Sequence, residues 1–259
     1  MGSTAGRPIV LVPGACLGGW SWREVTARLR QHGHDAYPVT LTGLGDRVHL
    51  ARPEVDLETH IADVVNLLEY EDLEHALLVG HSYAGTVVRA VADRVPGRLE
   101  AVVYLDTSPL PDGTAIADLQ QQEQRESQTR LVAERGDGWR WPVPDRETLL
   151  AGTFGSASGL GEEHLRLIDE RATAHPYATM TSRVRLAHGW PSDVRRAAIF
   201  CTEGGVDVTS VRELIAEGDP RAAAFAEDDW ELYDLATGHW AMLSLPGPLA
   251  DLLHGIAER

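Results

Sequence analysis

Short apolar runs and amphipathic stretches alternate along the first hundred residues, and that alternation sets the expected architecture. Arg7-Pro8-Ile9-Val10-Leu11-Val12-Pro13-Gly14 is a β-branched apolar run stopped by turn residues, the pattern of a strand covered on both faces. After Ala15-Cys16-Leu17-Gly18-Gly19-Trp20-Ser21-Trp22 the chain enters a helical stretch through Gln31, with Val25 and Leu29 on one face. A second strand is expected over Ala36 to Leu41, ending at Thr42-Gly43-Leu44-Gly45-Asp46. In Leu57 to Leu68 the apolar residues Ile61, Val64, Val65 and Leu68 recur at helical spacing. Ala76 to Val79 reads as a strand, Thr86 to Val95 as a helix that Pro96-Gly97 stops, and Leu99 to Asp106 as another strand. Regular alternation of this kind predicts an α/β fold, with a parallel sheet, helices on both faces and ligands beyond the carboxyl ends of the strands.

From Pro109 to about Arg196 the alternation stops and Gln, Glu, Arg and aromatic residues become frequent. This reads as an inserted helical cap over 109–196, set into a core formed by 1–108 and 197–259. Ala115 to Glu134 is expected as a polar helix, with Gln120-Gln121-Gln122 on a solvated face. Trp139, Trp141 and Pro142 fall in a loop, Glu162 to Ala172 forms a second helix, and Pro176 begins a third carrying Tyr177, Met180 and Val184. The sheet resumes at Ala197 to Thr202, a helix follows from about Val211, and Trp230 to Leu235 is the last strand. Thr237-Gly238-His239-Trp240 stands directly after it, and Leu249 to Ala257 closes the chain as a helix. There are no internal repeats and no long polar linker.

Composition narrows the chemistry. With 43% hydrophobic and 24% charged residues over 259 positions, the chain can bury a sizeable core, and it has no run of about 18 apolar residues to span a bilayer. A net charge of −16 repels phosphate backbones, so neither nucleic acid nor an anionic membrane is an expected partner. All 23 basic residues are arginine, which removes Schiff-base chemistry, pyridoxal phosphate attachment and a P-loop lysine together. No H-E-x-x-H motif occurs, and His32-Gly33-His34-Asp35 reads as a polar turn after a helix, so neither a metal nor another cofactor is expected. Cys16 and Cys201 are expected reduced and buried. Met1 to Pro8 carry no apolar signal-peptide stretch, which makes the cytoplasm the expected location. Nothing in the sequence bears on oligomeric state.

The candidate chemistry gathers around Leu77-Leu78-Val79-Gly80-His81-Ser82-Tyr83-Ala84-Gly85-Thr86-Val87-Val88, which reads as strand, sharp turn and helix. A serine between Gly80 and Ala84 resembles the nucleophile elbow G-x-S-x-G, whose strained turn lifts the hydroxyl clear of the sheet. Ala84 replaces the last glycine and is small enough for the same packing. Serine is a weak nucleophile at neutral pH, so acyl transfer needs a base, a carboxylate to orient the base, and amide donors for the oxyanion. His239, following the last strand, is the candidate base. Asp106, Glu203 and Asp207 compete for the carboxylate: Asp106 ends the strand after the nucleophile's helix, whereas Glu203 and Asp207 lie in the loop after Cys201-Thr202. The competing role for Asp106 is to cap the turn Thr107-Ser108-Pro109.

Across nearly its whole length the sequence resembles the α/β-hydrolases, nearest the plant methylesterase and hydroxynitrile lyase group and its bacterial relatives. Val10 to Trp22 is similar to that group's opening motif, and Gly80-His81-Ser82, Cys201-Thr202-Glu203 and Gly238-His239-Trp240-Ala241-Met242-Leu243 to its later ones. The resemblance implies an α/β-hydrolase fold, with oxyanion donors at the backbone amides of Ala15 and Tyr83. It also carries two departures. Trp240 stands where the hydroxynitrile lyases of the group have a lysine, which speaks against cyanohydrin cleavage, and Gly204 stands at the family's usual acid position. The implied activity is that of a serine hydrolase, a carboxylesterase for a small hydrophobic or aromatic neutral ester, with Trp139, Trp141, Tyr177, Met180 and Trp240 as candidate pocket residues. Two other readings compete: a cofactor-independent lyase, cyclase or oxygenase tailoring a natural product with His239 as base, and a non-catalytic ligand-binding protein on the same scaffold.

Overall fold

Six strands lie side by side in the order β2-β1-β3-β4-β7-β8, every neighbouring pair parallel. They are β1 (Gly6–Val12), β2 (His34–Pro38), β3 (Ala76–His81), β4 (Leu99–Leu105), β7 (Arg195–Cys201) and β8 (Trp230–Leu235) in a computed structural model that describes residues 6–227 and 229–259. Residues 1–5, part of the stretch read above as free of a signal sequence, lie outside the described residues, as does residue 228.

The apolar runs are long because both faces of the sheet are covered. Val10, Val12, Leu78, Val102, Tyr104 and Ala198 pack on one side with α2 (Leu57–Tyr70) and α3 (Ala84–Arg94). Ile9, Leu11, Leu77, Val79, Val103 and Ile199 pack on the other with α1 (Arg23–Gln31) and α10 (Pro246–Ala257). Register keeps the two sets apart: Val10 faces Leu78 and Leu78 faces Val102, so each layer is continuous across strands. Complete burial of each such side chain stabilises by about 1.5–3 kcal/mol relative to exposure.

Parallel pairing puts all carboxyl ends on one edge, where the chain passes Ala15 after β1, Ser82 after β3, Asp106 after β4 and His239 after β8. Strand order reverses at β1, between β2 and β3, which is where open α/β sheets leave a crevice for ligand.

Between β4 and β7 the chain leaves the sheet for α4 (Gln122–Arg135), β5 (Arg140–Trp141), α5 (Arg146–Leu150), α6 (Glu162–Arg171), β6 (His175–Pro176) and α7 (Ala178–Thr181). Here the pattern differs from expectation. The single helix read over Ala115 to Glu134 is a short 3-10 turn, Ile116–Leu119, then α4, because Gln120 and Gln121 are extended. The third helix read from Pro176 shrinks to the single turn α7, after which Val184 donates its N–H to the Thr114 carbonyl and is fully buried. Trp141 lies in a strand, paired antiparallel with His175.

Strand β2 also begins two residues early. Gly33, at φ 91°, ends α1 and turns the chain directly into the sheet. His34 is therefore buried rather than part of a polar turn, donating from Nδ1 to the Arg7 carbonyl at 3.1 Å and accepting at Nε2 from His254 Nδ1 at 2.8 Å. Beyond the remaining elements, α8 (Val208–Glu217) and α9 (Ala241–Ser244), no helix among the described residues is long and apolar enough to cross a membrane. Cys16 and Cys201 are free and buried, and burial pushes the Cys16 thiol up to about 12.

Candidate active site

Ser82 sits at the tip of the turn between β3 and α3 with φ 51°, a left-handed conformation that a non-glycine residue adopts only under constraint. Its N–H donates to the Leu105 carbonyl at 3.1 Å and its carbonyl accepts from Gly85 N at 2.9 Å, which fixes the turn from both sides. The strand and helix meet so closely that a Cβ on Gly80 would stand 2.7 Å from Val88 Cγ2 and 2.8 Å from the Ala84 carbonyl oxygen. Glycine at 80 is thus a packing requirement, and Ala84 is fully buried beside it.

His239 follows β8 and is held at its backbone on both sides. Its N–H donates to the Ser156 carbonyl at 2.8 Å, and its carbonyl accepts from His81 Nε2 at 2.8 Å. Gly155, at φ 114°, lies flat against the ring, where a Cβ would come within 2.5 Å of His239 Cγ. The ring Nδ1 meets Asp106 Oδ2 at 2.5 Å. Asp106 is itself in the left-handed region, φ 49°, with its N–H on the Ile199 carbonyl and its Oδ1 accepting from Cys201 N at 3.1 Å. Both carboxylate oxygens are therefore engaged away from the turn at Thr107 to Pro109. With Nδ1 committed to Asp106, Nε2 is the nitrogen left for Ser82, and the two residues border one cavity.

The other two carboxylates stand apart from His239. Asp207 is the N-cap of α8, its Oδ1 accepting from Ser210 N at 2.7 Å, and that bond holds the carboxyl below the usual carboxylate range. Glu203 is exposed in the 3-10 turn after β7 and lines an open surface groove beside Asp106.

Ala15 and Tyr83 border the same cavity as Ser82, and among the described residues neither backbone N–H has a protein acceptor. Their neighbours are pinned instead. Cys16, at φ 65°, donates its N–H to His175 Nδ1 at 3.1 Å and accepts at its carbonyl from Thr173 N at 2.9 Å. Behind Tyr83, His60 donates from Nε2 to the Thr42 carbonyl and accepts from the Tyr83 hydroxyl at Nδ1, each at 2.8 Å. Burial lowers the affinity of His60, His81 and His175 for a proton, that of His81 and His175 strongly. The bonds of His175 and His81 escaped the sequence reading because their partners lie far along the chain, Cys16 being 159 residues from His175 and His239 158 from His81.

The cavity over Ser82 measures about 180 Å³ and has mostly apolar walls. Trp141, Met180 and Trp240 line it, as expected. Trp139 and Tyr177 do not. Trp139 precedes β5 and lies under the Arg140 guanidinium, 4.3 Å from ring centroid to Cζ, while Tyr177 sits past the end of β6 with its hydroxyl 3.5 Å from Thr129 Oγ1. The wall also contains Ile116, Leu149, Phe154 and Ile168, and two glutamines, Gln120 and Gln128, that the sequence reading did not select.

Residues 9–252 match the alpha/beta hydrolase family. The chain is 30% identical over 247 residues to a carbendazim hydrolyzing esterase from a Nocardioides species, covering 94% of this chain and 97% of that protein. It is 25% identical over 265 residues to salicylic acid-binding protein 2 of Nicotiana tabacum, with 98% of each chain covered. An extracellular alpha/beta-hydrolase from a Paenibacillus species superposes with a TM-score of 0.78 at 20% identity, over 95% of this chain and 97% of that one. With the elbow, the parallel sheet and a full-length relative in agreement, the chain belongs to the alpha/beta hydrolase family.

Proposed function

We propose that the protein is a serine carboxylesterase for a hydrophobic or aromatic neutral ester, with Ser82 as nucleophile, His239 as general base and acid, and Asp106 as the carboxylate that orients His239. The observation that carries this reading is the 2.5 Å contact between His239 Nδ1 and Asp106 Oδ2 beside a cavity shared with Ser82. The esterase and methylesterase names of its relatives support it as well.

In the reaction, Ser82 Oγ attacks the ester carbonyl carbon while His239 Nε2 takes the hydroxyl proton, and Asp106 stabilises the imidazolium. The carbonyl oxygen, now negative, lies between the N–H groups of Ala15 and Tyr83, whose donors cost no reorganisation at that moment. Collapse expels the alcohol, which leaves with the proton from Nε2, and the acyl group stays on Ser82. Water then attacks the acyl-enzyme with His239 as base, releasing the acid. The inserted segment 109–196 acts as the substrate cap, contributing Trp141 and Met180, and Trp240 closes the core side.

The test is mass spectrometry of the intact protein during turnover of p-nitrophenyl butyrate. A butyryl adduct on Ser82, absent in Ser82→Ala together with turnover, is the expected result. Undiminished turnover by Ser82→Ala overturns the assignment.

A further inference from the structure

Helix α4 is largely exposed, with Val132 buried and Gln128 and Leu131 half-buried at its base. Gln124, Ser127, Gln128, Leu131 and Arg135 recur at three- and four-residue spacing and line a recess of about 390 Å³. Of these, Gln128 is the polar residue withdrawn from solvent, while Gln124, Ser127 and Arg135 form the open rim. The recess continues from the chamber over Ser82, and Gln120, Gln128, Trp141 and Phe154 border both spaces.

Gln120 is placed by the break before α4. Its extended backbone, φ −86° and ψ 149°, separates it from Gln121, which caps the helix, and from Gln122, which pairs outward with Glu126 at 2.9 Å. Gln120 Oε1 is buried and has no hydrogen-bond partner among the described residues. An amide oxygen left so is destabilising, and a ligand donor that reaches it would offset that cost.

We propose that Gln120 and Gln128 form a subsite for an uncharged N–H group, an amide, carbamate or N-heterocycle, that the substrate carries outside its scissile ester bond. This rests on the esterase reading and names the substrate class within it. Two carboxamides at the joint of the two spaces offer an acceptor beside donors, which matches the N–H and C=O of an amide-like group. Asp145 and Arg135 line only the outer recess, and the residues bordering both spaces carry no charge, so an ammonium at the joint would lose its hydration without a carboxylate to replace it and the group is neutral. The scissile carbonyl then occupies the inner chamber, and the remainder of the substrate extends along α4.

The experiment compares methyl 4-acetamidobenzoate with methyl 4-acetonylbenzoate, in which CH₂ replaces the N–H, each normalised to its hydroxide-catalysed rate. The full-length chain is expected to favour the acetamido ester in kcat/KM by about tenfold, the worth of roughly 1.4 kcal/mol. In Gln120→Leu the ratio falls to near one, and in Gln120→Glu, which keeps the acceptor, it survives. Because the readout is a ratio within each variant, a change in folded fraction cancels. p-Nitrophenyl acetate separates the two claims. If the unaltered protein hydrolyses it yet shows a ratio near one, or if the ratio persists in Gln120→Leu, the subsite is overturned and the esterase reading stands. If none of the three esters is hydrolysed, both fall.

Discussion

Replacing Asp106 with Asn separates the roles of its two carboxylate oxygens. Oδ1 accepts from Cys201 N at 3.1 Å and Oδ2 meets His239 Nδ1 at 2.5 Å. The asparagine oxygen can keep the Cys201 bond, so the link between β4 and β7 survives and the fold should stay intact. Its NH₂ then faces His239 and can only donate, which forces Nδ1 to accept and moves the imidazole proton to Nε2. A protonated Nε2 cannot take the Ser82 proton. In serine proteases of the same constellation this exchange lowers kcat by about 10⁴, equivalent to about 5.5 kcal/mol of barrier. Here the expected loss is of that order, with KM for p-nitrophenyl butyrate little changed and a melting temperature within a few degrees of the unaltered protein. Glu203→Gln and Asp207→Asn are the comparators and should retain near-native kcat. If Asp106→Asn stays within tenfold of native kcat while either comparator abolishes turnover, the orienting acid lies in the loop after β7 and the reasoning fails.

Gly80→Ala should destabilise by about 1–3 kcal/mol in urea denaturation, since its Cβ would meet Val88 and the Ala84 carbonyl at 2.7 and 2.8 Å; an unchanged midpoint would show that β3 and α3 separate freely. Asp207→Ala removes the N-cap of α8 and should cost about 1 kcal/mol in the same assay without altering kcat. Trp141→Ala should raise KM for bulky aryl esters more than for methyl esters, and Trp139→Ala should leave both unchanged, because only Trp141 borders the cavity. His81 and His175 are buried and bind protons far more weakly folded than unfolded, so stability is fully present above the unfolded value near 6.5 and falls as pH drops below it. The slope contributed by each is about 1.4 kcal/mol per pH unit, and urea denaturation at pH 7.5 and 5.5 measures it; equal stability at the two pH values would contradict their burial as neutral rings.

The elements that proved legible in the sequence are those whose pattern is set by the sheet. β1, β3, β4 and β7 contain apolar runs because each is covered on two faces, and Ser82 lies between Gly80 and Ala84. The cap is different. It is held by contacts distant in the chain, and its helices are short or polar, so periodicity misplaced the break at Gln120 and extended α7 past its single turn. Trp139 and Trp141 look alike in sequence, yet pairing of Trp141 with His175 turns one ring into the cavity and leaves the other under Arg140. Bland polarity concealed Gln120 and Gln128 for a related reason: a half-buried glutamine beside a cavity and an exposed one on the same helix share one composition.

The segment between β4 and β7 is bonded to two loops at the carboxyl edge of the sheet. Thr173 and His175 hold the carbonyl and N–H of Cys16, the residue beside Ala15, and Ser156 holds the N–H of His239 while Gly155 lies against its ring. Left-handed backbone at a non-glycine residue such as Cys16 costs about 1–3 kcal/mol and persists only where its surroundings enforce it. Two hydrogen bonds of about 0.5–1.5 kcal/mol each, both from the cap, are of the size needed to enforce it. The polar groups of Cys16 are thereby taken, while the N–H of the adjacent Ala15, which borders the cavity, has no acceptor among the described residues. Residues 155–158 and 173–175 thus carry bonds to the backbone beside Ser82 and His239, whereas the polar residues of α4 make no hydrogen bond to either loop among the described residues. If the proposed roles of Ser82, His239 and Asp106 hold, substitutions at Gln128 on α4 should shift substrate preference while kcat for p-nitrophenyl acetate stays near native; a loss of kcat equal for all esters would contradict this separation.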